Sequence, residues 1–236
     1  MSSSLSALLS ATFYERGYDH LVELVHQRDA SAYRRLHSLD VGVYDPGGKR
    51  LAAPPVDPRC EVLDLAALVE QIPGAPERVM VAFDARYDER IFPYRPHHYA
   101  YLHRRGSTAP ALYYAVNAVL GGVPDRIGVT SINNFEMYLF RRNPFTERYS
   151  VLLGCLSRFA PVEAQVFAYY ADERTYREVI LEPKAHVEVE LPAALDGQRL
   201  SRVEIKALFR LATYVVGRRA ETEELVLFDH LFTYFK

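Results

Sequence analysis

The stretch "EPKAHVEVEL" at residues 182–191 is a Pro-led turn entering an alternating strand, and "DPRCEVLDL" at residues 57–65 nearly repeats it. The likeness extends outward, from "VGVYDPGGKRLAAPPVDPRCEVLDLAALVEQ" (41–71) to "VFAYYADERTYREVILEPKAHVEVELPAALDGQ" (166–198). Each block has an alternating run that ends in an aromatic residue and an aspartate, Tyr44-Asp45 in one and Tyr170 with Asp172 in the other. A polar turn follows, then a second strand, an acid-Pro-base triplet, a third strand and Ala-Ala-Leu. Pro58 and Pro183 stand 183 − 58 = 125 residues apart, and Asp45 and Asp172 stand 172 − 45 = 127 apart. Offsets this similar are what a duplication with small loop changes leaves. Chance likeness is the competing reading, because hairpins with a Pro turn are common.

The flanks continue the match. "DHLVELVHQ" (19–27) parallels "RYSVLLGCLS" (148–157), "RVMVAFDARYDER" (78–90) parallels "RVEIKALFRLATYVV" (202–216), and "HHYAYLH" (97–103) parallels "ELVLFDHLFTYF" (224–235). Each half thus offers about five short β-branched or aromatic strands joined by turns. The expected fold is all-β: two tandem, related antiparallel β-sandwiches, spanning 1–107 (preceded by a short N-terminal segment) and 108–236, with the boundary near Gly106–Pro110. Residues 3–16, with Leu5, Leu8 and Leu9 on one side, suit a helix. "DLAALVEQI" (64–72) and "PAALDGQ" (192–198) read as short helical turns. Residues 108–140 fit no segment of the first half and open the second; "ALYYAVNAVL" there also suits a buried helix. The apolar run 224–235 is expected to be buried against the other domain or a second chain.

Composition excludes several classes. The 236 residues carry a formal charge of −2, and the Arg pairs are isolated doublets, so no basic face for nucleic acid is expected. Cys60 and Cys155 form neither a disulfide framework nor a CxxC spacing, and both read as small core residues. The N-terminus lacks a basic region and a long apolar stretch, and no run approaches the ~18 apolar residues of a membrane span. A soluble, cytoplasmic chain with no membrane partner is expected.

Within residues 148–191 stand an "xVxxYYxD" strand (Val166, Tyr169, Tyr170, Asp172) and, after a short turn, an "xxxLxPxxxxxVxxxL" pattern (Leu181, Pro183, Val187, Leu191). Over residues 127–236 this resembles the small β-sandwich of the sensory rhodopsin transducer family, with a degenerate copy in the first half. The resemblance implies a soluble, non-enzymatic, oligomer-forming module that binds a partner protein or a small ligand. This chain departs from the family in its greater length and in a long insertion at 192–202.

Catalytic and metal motifs are missing. In "HHYAYLH", His97 and His103 share a strand face but lie about 20 Å apart at ~3.3 Å per residue, too far to share a zinc ion held at ~2 Å. There is no HExxH, GxSxG, Walker or dinucleotide motif, and "DPGGKR" (45–50) reads as a hairpin turn. Neither a cofactor nor a metal is expected.

Two stretches remain. In "FDARYDERIFPYRPHH" (83–98), Val79, Val81, Phe83, Ala85 and Tyr87 fall on one strand face and Asp84, Arg86, Asp88 and Arg90 on the other. That pattern fits a half-solvated strand with cross-strand ion pairs. The loop beyond it offers Arg90, Phe92, Tyr94, Arg95, His97 and His98, restrained by Pro93 and Pro96, and would suit an anionic or sugar-like ligand. In "SINNFEMYLFRRN" (131–143), Asn133, Asn134 and Glu136 are further candidates, and a bulge explains the adjacent asparagines equally well. The candidate ligand-binding set is Arg86, Arg90, Tyr94, Arg95, His97, His98, Asn133, Asn134 and Glu136. The function expected is a non-catalytic, homo-oligomeric binding or assembly protein for a partner protein or a small polar or anionic ligand. The alternative is an enzyme with a pocket at the junction of the two domains, acting on a sugar-like or anionic small molecule.

Overall fold

A computed structural model of the chain describes residues 6–24, 36–57, 60–87, 98–120, 134–140, 148–207, 209 and 211–233. The chain is nearly all β and divides into two compact units, Met1–Val123 and Pro124–Lys236.

The first unit contains β1 (Ser6–Glu15), β2 (Tyr18–Glu23), β3 (Leu36–Tyr44), β4 (Arg50–Ala52), β5 (Val62–Asp64), helix α1 (Leu65–Val69), β6 (Arg78–Tyr87), β7 (Tyr99–Arg104), β8 (Leu112–Ala115) and β9 (Asn117–Leu120). Sheet A has the order β4-β3-β6-β1-β9 and sheet B the order β5-β2-β7-β8, all antiparallel. The second unit contains β10 (Asn134–Leu139), β11 (Arg148–Gly154), β12 (Val162–Tyr170), β13 (Glu173–Leu181), β14 (His186–Leu191), β15 (Ala194–Leu195), β16 (Gln198–Ala207), β17 (Ala212–Arg218), β18 (Leu225–His230) and β19 (Phe232–Thr233). Sheet C runs β13-β12-β16-β10-β19, with β15 on β16, and sheet D runs β14-β11-β17-β18.

These orders coincide strand for strand: 4-3-6-1-9 becomes 13-12-16-10-19, and 5-2-7-8 becomes 14-11-17-18. Only α1 and β15 exchange a helix for a strand. Registers agree as well. Phe83 of β6 stands between Ser10 and Val41, as Ile205 of β16 stands between Glu136 and Val166. Val41 and Val166 are 166 − 41 = 125 residues apart, the offset of the two turn prolines. Each unit also changes sheets at a buried residue: Val116 N–H donates to His98 O (2.7 Å), and Leu231 N–H donates to Thr213 O (3.1 Å).

Alternation builds each core. Val79, Val81, Phe83 and Ala85 fill the inner face of sheet A, and Val162, Ala164, Val166, Ala168 and Tyr170 that of sheet C. Turn chemistry fixes the hairpins. Asp45 Oδ1 accepts from Lys49 N–H at 2.9 Å, closing the expected 45–50 turn. Asp196 and Gly197 both have positive φ (44° and 80°), as a two-residue turn of type I′ requires. Gly197→Ala is expected to cost about 1 kcal/mol, read as a lower urea midpoint with unchanged slope, because its φ penalises a Cβ.

Several expectations change. The helix foreseen over 3–16 is strand β1: it lies between β6 and β9 with both faces buried, so Leu9, Ala11 and Phe13 on one face and Ser10, Thr12 and Tyr14 on the other blur the alternation. Of the two foreseen helical turns, 64–72 holds α1, capped by Asp64, whose side chain accepts from Ala67 N–H, whereas 192–198 is the β15–β16 hairpin. "ALYYAVNAVL" is not helical. It forms β8 and β9, which pair with β7 and β1, so the first unit continues past 107. The last flanking match slips by one strand, since β17 is the counterpart of β7 and β18 that of β8. The C-terminal run is two strands split at buried Leu231, with Leu225 and Phe228 also buried. Cys155 is a core residue, but Cys60 is half-exposed, its thiol donating to Val62 O at 2.9 Å.

Candidate functional site

The sequence-derived candidates fall in separate places. Arg90, Tyr94, Arg95, His97 and Asn133 lie outside the described residues. Arg86 is on the outer face of sheet A, and its guanidinium grips Asp84 on its own strand at 2.9 and 3.1 Å. The ion pair therefore runs along β6. His98 is 1% exposed and sets its ring edge against Phe83, with centroids 5.5 Å apart, inside the first unit. Glu136 is 0% exposed and accepts a hydrogen bond from Thr213 inside the second. Asn134 opens β10 opposite Ala207. His98 and Glu136 each belong to the inner faces of their own unit, so neither presents its side chain to a solute. Among the described residues, no group of three or more His, Cys, Asp or Glu is placed to hold a metal ion. No described helix is long and apolar enough to cross a membrane.

A polar thread does run through the first unit. Tyr114 Oη bridges Thr12 Oγ1 (2.5 Å) and His20 Nε2 (2.7 Å), all three buried between the sheets. Burial lowers the His20 pKa to about 3, so the ring is neutral at ordinary pH. Tyr14 stacks near His20 and donates to Glu70 Oε1 (2.5 Å), while Arg105 holds both Glu70 and Asp19. Burial, then the bond to Glu70, pushes the Tyr14 hydroxyl well up; Arg105 first, then Tyr14, holds Glu70 down. A neutral imidazole sealed behind tyrosines is a structural network.

The exposed chemistry lies elsewhere, on the outer face of sheet C. Strand register arranges it in three rows across β13, β12, β16 and β10. They are Arg174, Tyr169, Arg202, Leu139; then Tyr176, Phe167, Glu204, Met137; then Glu178, Gln165, Lys206, Phe135. Cations lie over rings throughout. Lys206 Nζ is 4.8 Å from the Phe167 centroid and 5.9 Å from that of Phe135, Arg174 is 5.7 Å from Phe167, and Arg202 is 4.1 Å from Tyr169. Glu204 neutralises Arg202 (3.1 Å) and accepts from Tyr169 Oη (2.7 Å). Burial first, then Glu204, raises the Tyr169 pKa, so its hydroxyl keeps the proton. Among the described residues, Lys206 and Arg174 have no carboxylate within ion-pair distance. Apolar groups mark the margins, with Leu139 62% exposed, Tyr176 53% and Ile180 71%.

Sequence reading missed this face. "QVFAYY" and "RVEIKA" read as ordinary sandwich strands, but Phe167 and Tyr169 are aromatic on the side that alternation assigns to solvent. Aromatics on that side, opposite Lys206 and Arg202 in the next strand, are the signal that marks the face.

Fold and surface define the class: an all-β protein of antiparallel sheets with an aromatic-cationic face open to solvent. In comparisons with known proteins, no family model, no curated protein and no solved structure matches the chain.

Proposed function

We propose that the chain is a non-catalytic binding protein, built from two sandwiches related by duplication, that docks an acidic surface of a partner protein on the outer face of sheet C. One observation carries this reading: two exposed cations, Lys206 and Arg174, lie over the Phe167 ring, and among the described residues neither has a carboxylate within ion-pair distance. Such cations are already partly desolvated by the rings, and a partner carboxylate would complete them. A small ligand is better served by a concavity that encloses it. A sheet face spreads its contacts and suits a macromolecule, with Tyr176 as the exposed aromatic anchor and Leu139 and Ile180 as an apolar fringe. Shared strand order and the 125-residue register support the duplication. The resemblance to the sensory rhodopsin transducer sandwich supports a non-enzymatic role, although its residues Val166, Tyr170 and Leu181 are buried and speak for the fold.

The test is a titration of the full chain with a glutamate-rich synthetic peptide, followed by amide NMR shifts. Shifts should concentrate on β10, β12, β13 and β16, weaken with salt, and need at least about tenfold more peptide in Lys206→Glu. Saturation unchanged by that substitution, or shifts confined to other sheets, would sink the proposal.

A further inference from the structure

Sheet C ends in an unusual edge. Among the described residues, β13 pairs only with β12 and is nine residues long, whereas the other terminal strands have six residues or fewer: β4, β5, β8, β9, β14, β18 and β19. Of its residues only Leu181 is buried. An edge of this length leaves a row of backbone donors and acceptors open to another strand. β13 is not short; Arg174, Tyr176, Glu178 and Ile180 alternate on its outer face, and its charges, Arg174 and Glu178 there and Glu173 and Arg177 on the inner side, are exposed and of both signs, so they do not repel a second copy.

We propose that β13 pairs antiparallel with β13 of a second copy of this chain, about a two-fold axis through Tyr176. About that axis every residue faces the one equally far on the other side of Tyr176. Arg174 then meets Glu178 of the second copy, Glu178 meets Arg174 of the second copy, and the two Tyr176 rings meet at the centre. The contact is isologous, so one favourable pair becomes two. Directly opposite opposite-charge and aromatic pairs are the stabilising contacts of an antiparallel ladder. Shifting the centre by two residues to Arg174 or Glu178 sets like charges against each other, and the axis through Tyr176 sets none. On the far face the same axis sets Thr175 against Arg177 of the second copy, with no like-charge clash. Sheet C and its mate become one continuous sheet, and the two aromatic-cationic faces lie side by side. The dimer does not rest on the acidic-partner reading; where both hold, Arg174 and Tyr176 are taken up at the dimer contact, and Lys206 over Phe167 on each copy is left for the partner, which makes the protein bivalent.

Sedimentation of the full chain at micromolar concentration tests it. The wild type should run at twice the 27.0 kDa chain mass. Arg174→Glu sets two glutamate pairs face to face and should weaken the dimer by at least about tenfold. The exchange Arg174→Glu with Glu178→Arg restores both pairs and should restore the dimer, a rescue that a folding defect does not give. A monomeric wild type, a dimer indifferent to Arg174→Glu, or a double variant as weak as the single one overturns the proposal. Because dimerisation is read without any peptide, its failure leaves the Lys206 titration standing.

Discussion

His20→Gln will flatten the acid limb of the protein's stability curve. In the wild type, His20 is sealed between the sheets with its pKa lowered from 6.5 to about 3 by burial alone. The unfolded chain therefore takes up a proton below pH 6.5 that the folded chain refuses until about pH 3. Stability from this residue is complete above pH 6.5 and is lost as pH falls through that window. At pH 4.5, two pH units below the unfolded value, the loss is about 3 kcal/mol at ~1.4 kcal/mol per unit. Gln keeps an acceptor for the Tyr114 hydroxyl and has nothing to titrate. Urea midpoints at pH 7 and 4.5 should fall for the wild type and change far less for the variant. Glu70, held below the ordinary carboxylate range by Arg105, contributes in a lower window and does not mimic the effect. Parallel losses in both proteins would show that His20 is not what senses acid.

The sequence made the β class and the second-half hairpin legible because alternation and turn chemistry are local. "VEAQVFAYY" and "REVIL" alternate, and Pro183 sits in the turn that carries the chain from β13 in sheet C to β14 in sheet D. What stayed hidden was set by context. β1 is buried on both faces, so the alternation that would have marked it was lost among Leu9, Ala11 and Phe13. β8 and β9 return to the first unit through pairing with β7 and β1, which no local signal announces. Histidines misled for the same reason. His98 looked exposed beside Pro96 and His97, yet it points inward against Phe83, and the buried His20 drew no notice. The outer face of sheet C was missed because a site spread over four strands has no spacing in sequence. Phe167, Lys206 and Phe135 meet only through register.

Thr213→Val should destabilise the protein by about 2–3 kcal/mol, although it exchanges a hydroxyl for a methyl of nearly the same size. The hydroxyl donates to Glu136, and both residues are fully buried between sheets C and D. Leaving a buried polar group without its hydrogen-bond partner costs about 1–3 kcal/mol, because the group stays desolvated. The urea midpoint should drop with an unchanged slope, since the surface exposed on unfolding is the same. Removing both members tests the cause. Glu136→Leu combined with Thr213→Val removes both ends of this bond and should cost less than Thr213→Val alone. A single variant that costs under ~0.5 kcal/mol would mean that the carboxylate does not depend on this hydroxyl. The same strand positions in the first unit hold Ser10 and His98, as the pairings with Phe83 and the bond from Val116 fix. Both units thus place polar side chains at this corner, beside the residue where the chain changes sheets, and of these four positions Glu136 is the carboxylate, which is why its hydroxyl partner is the one whose loss should be felt most.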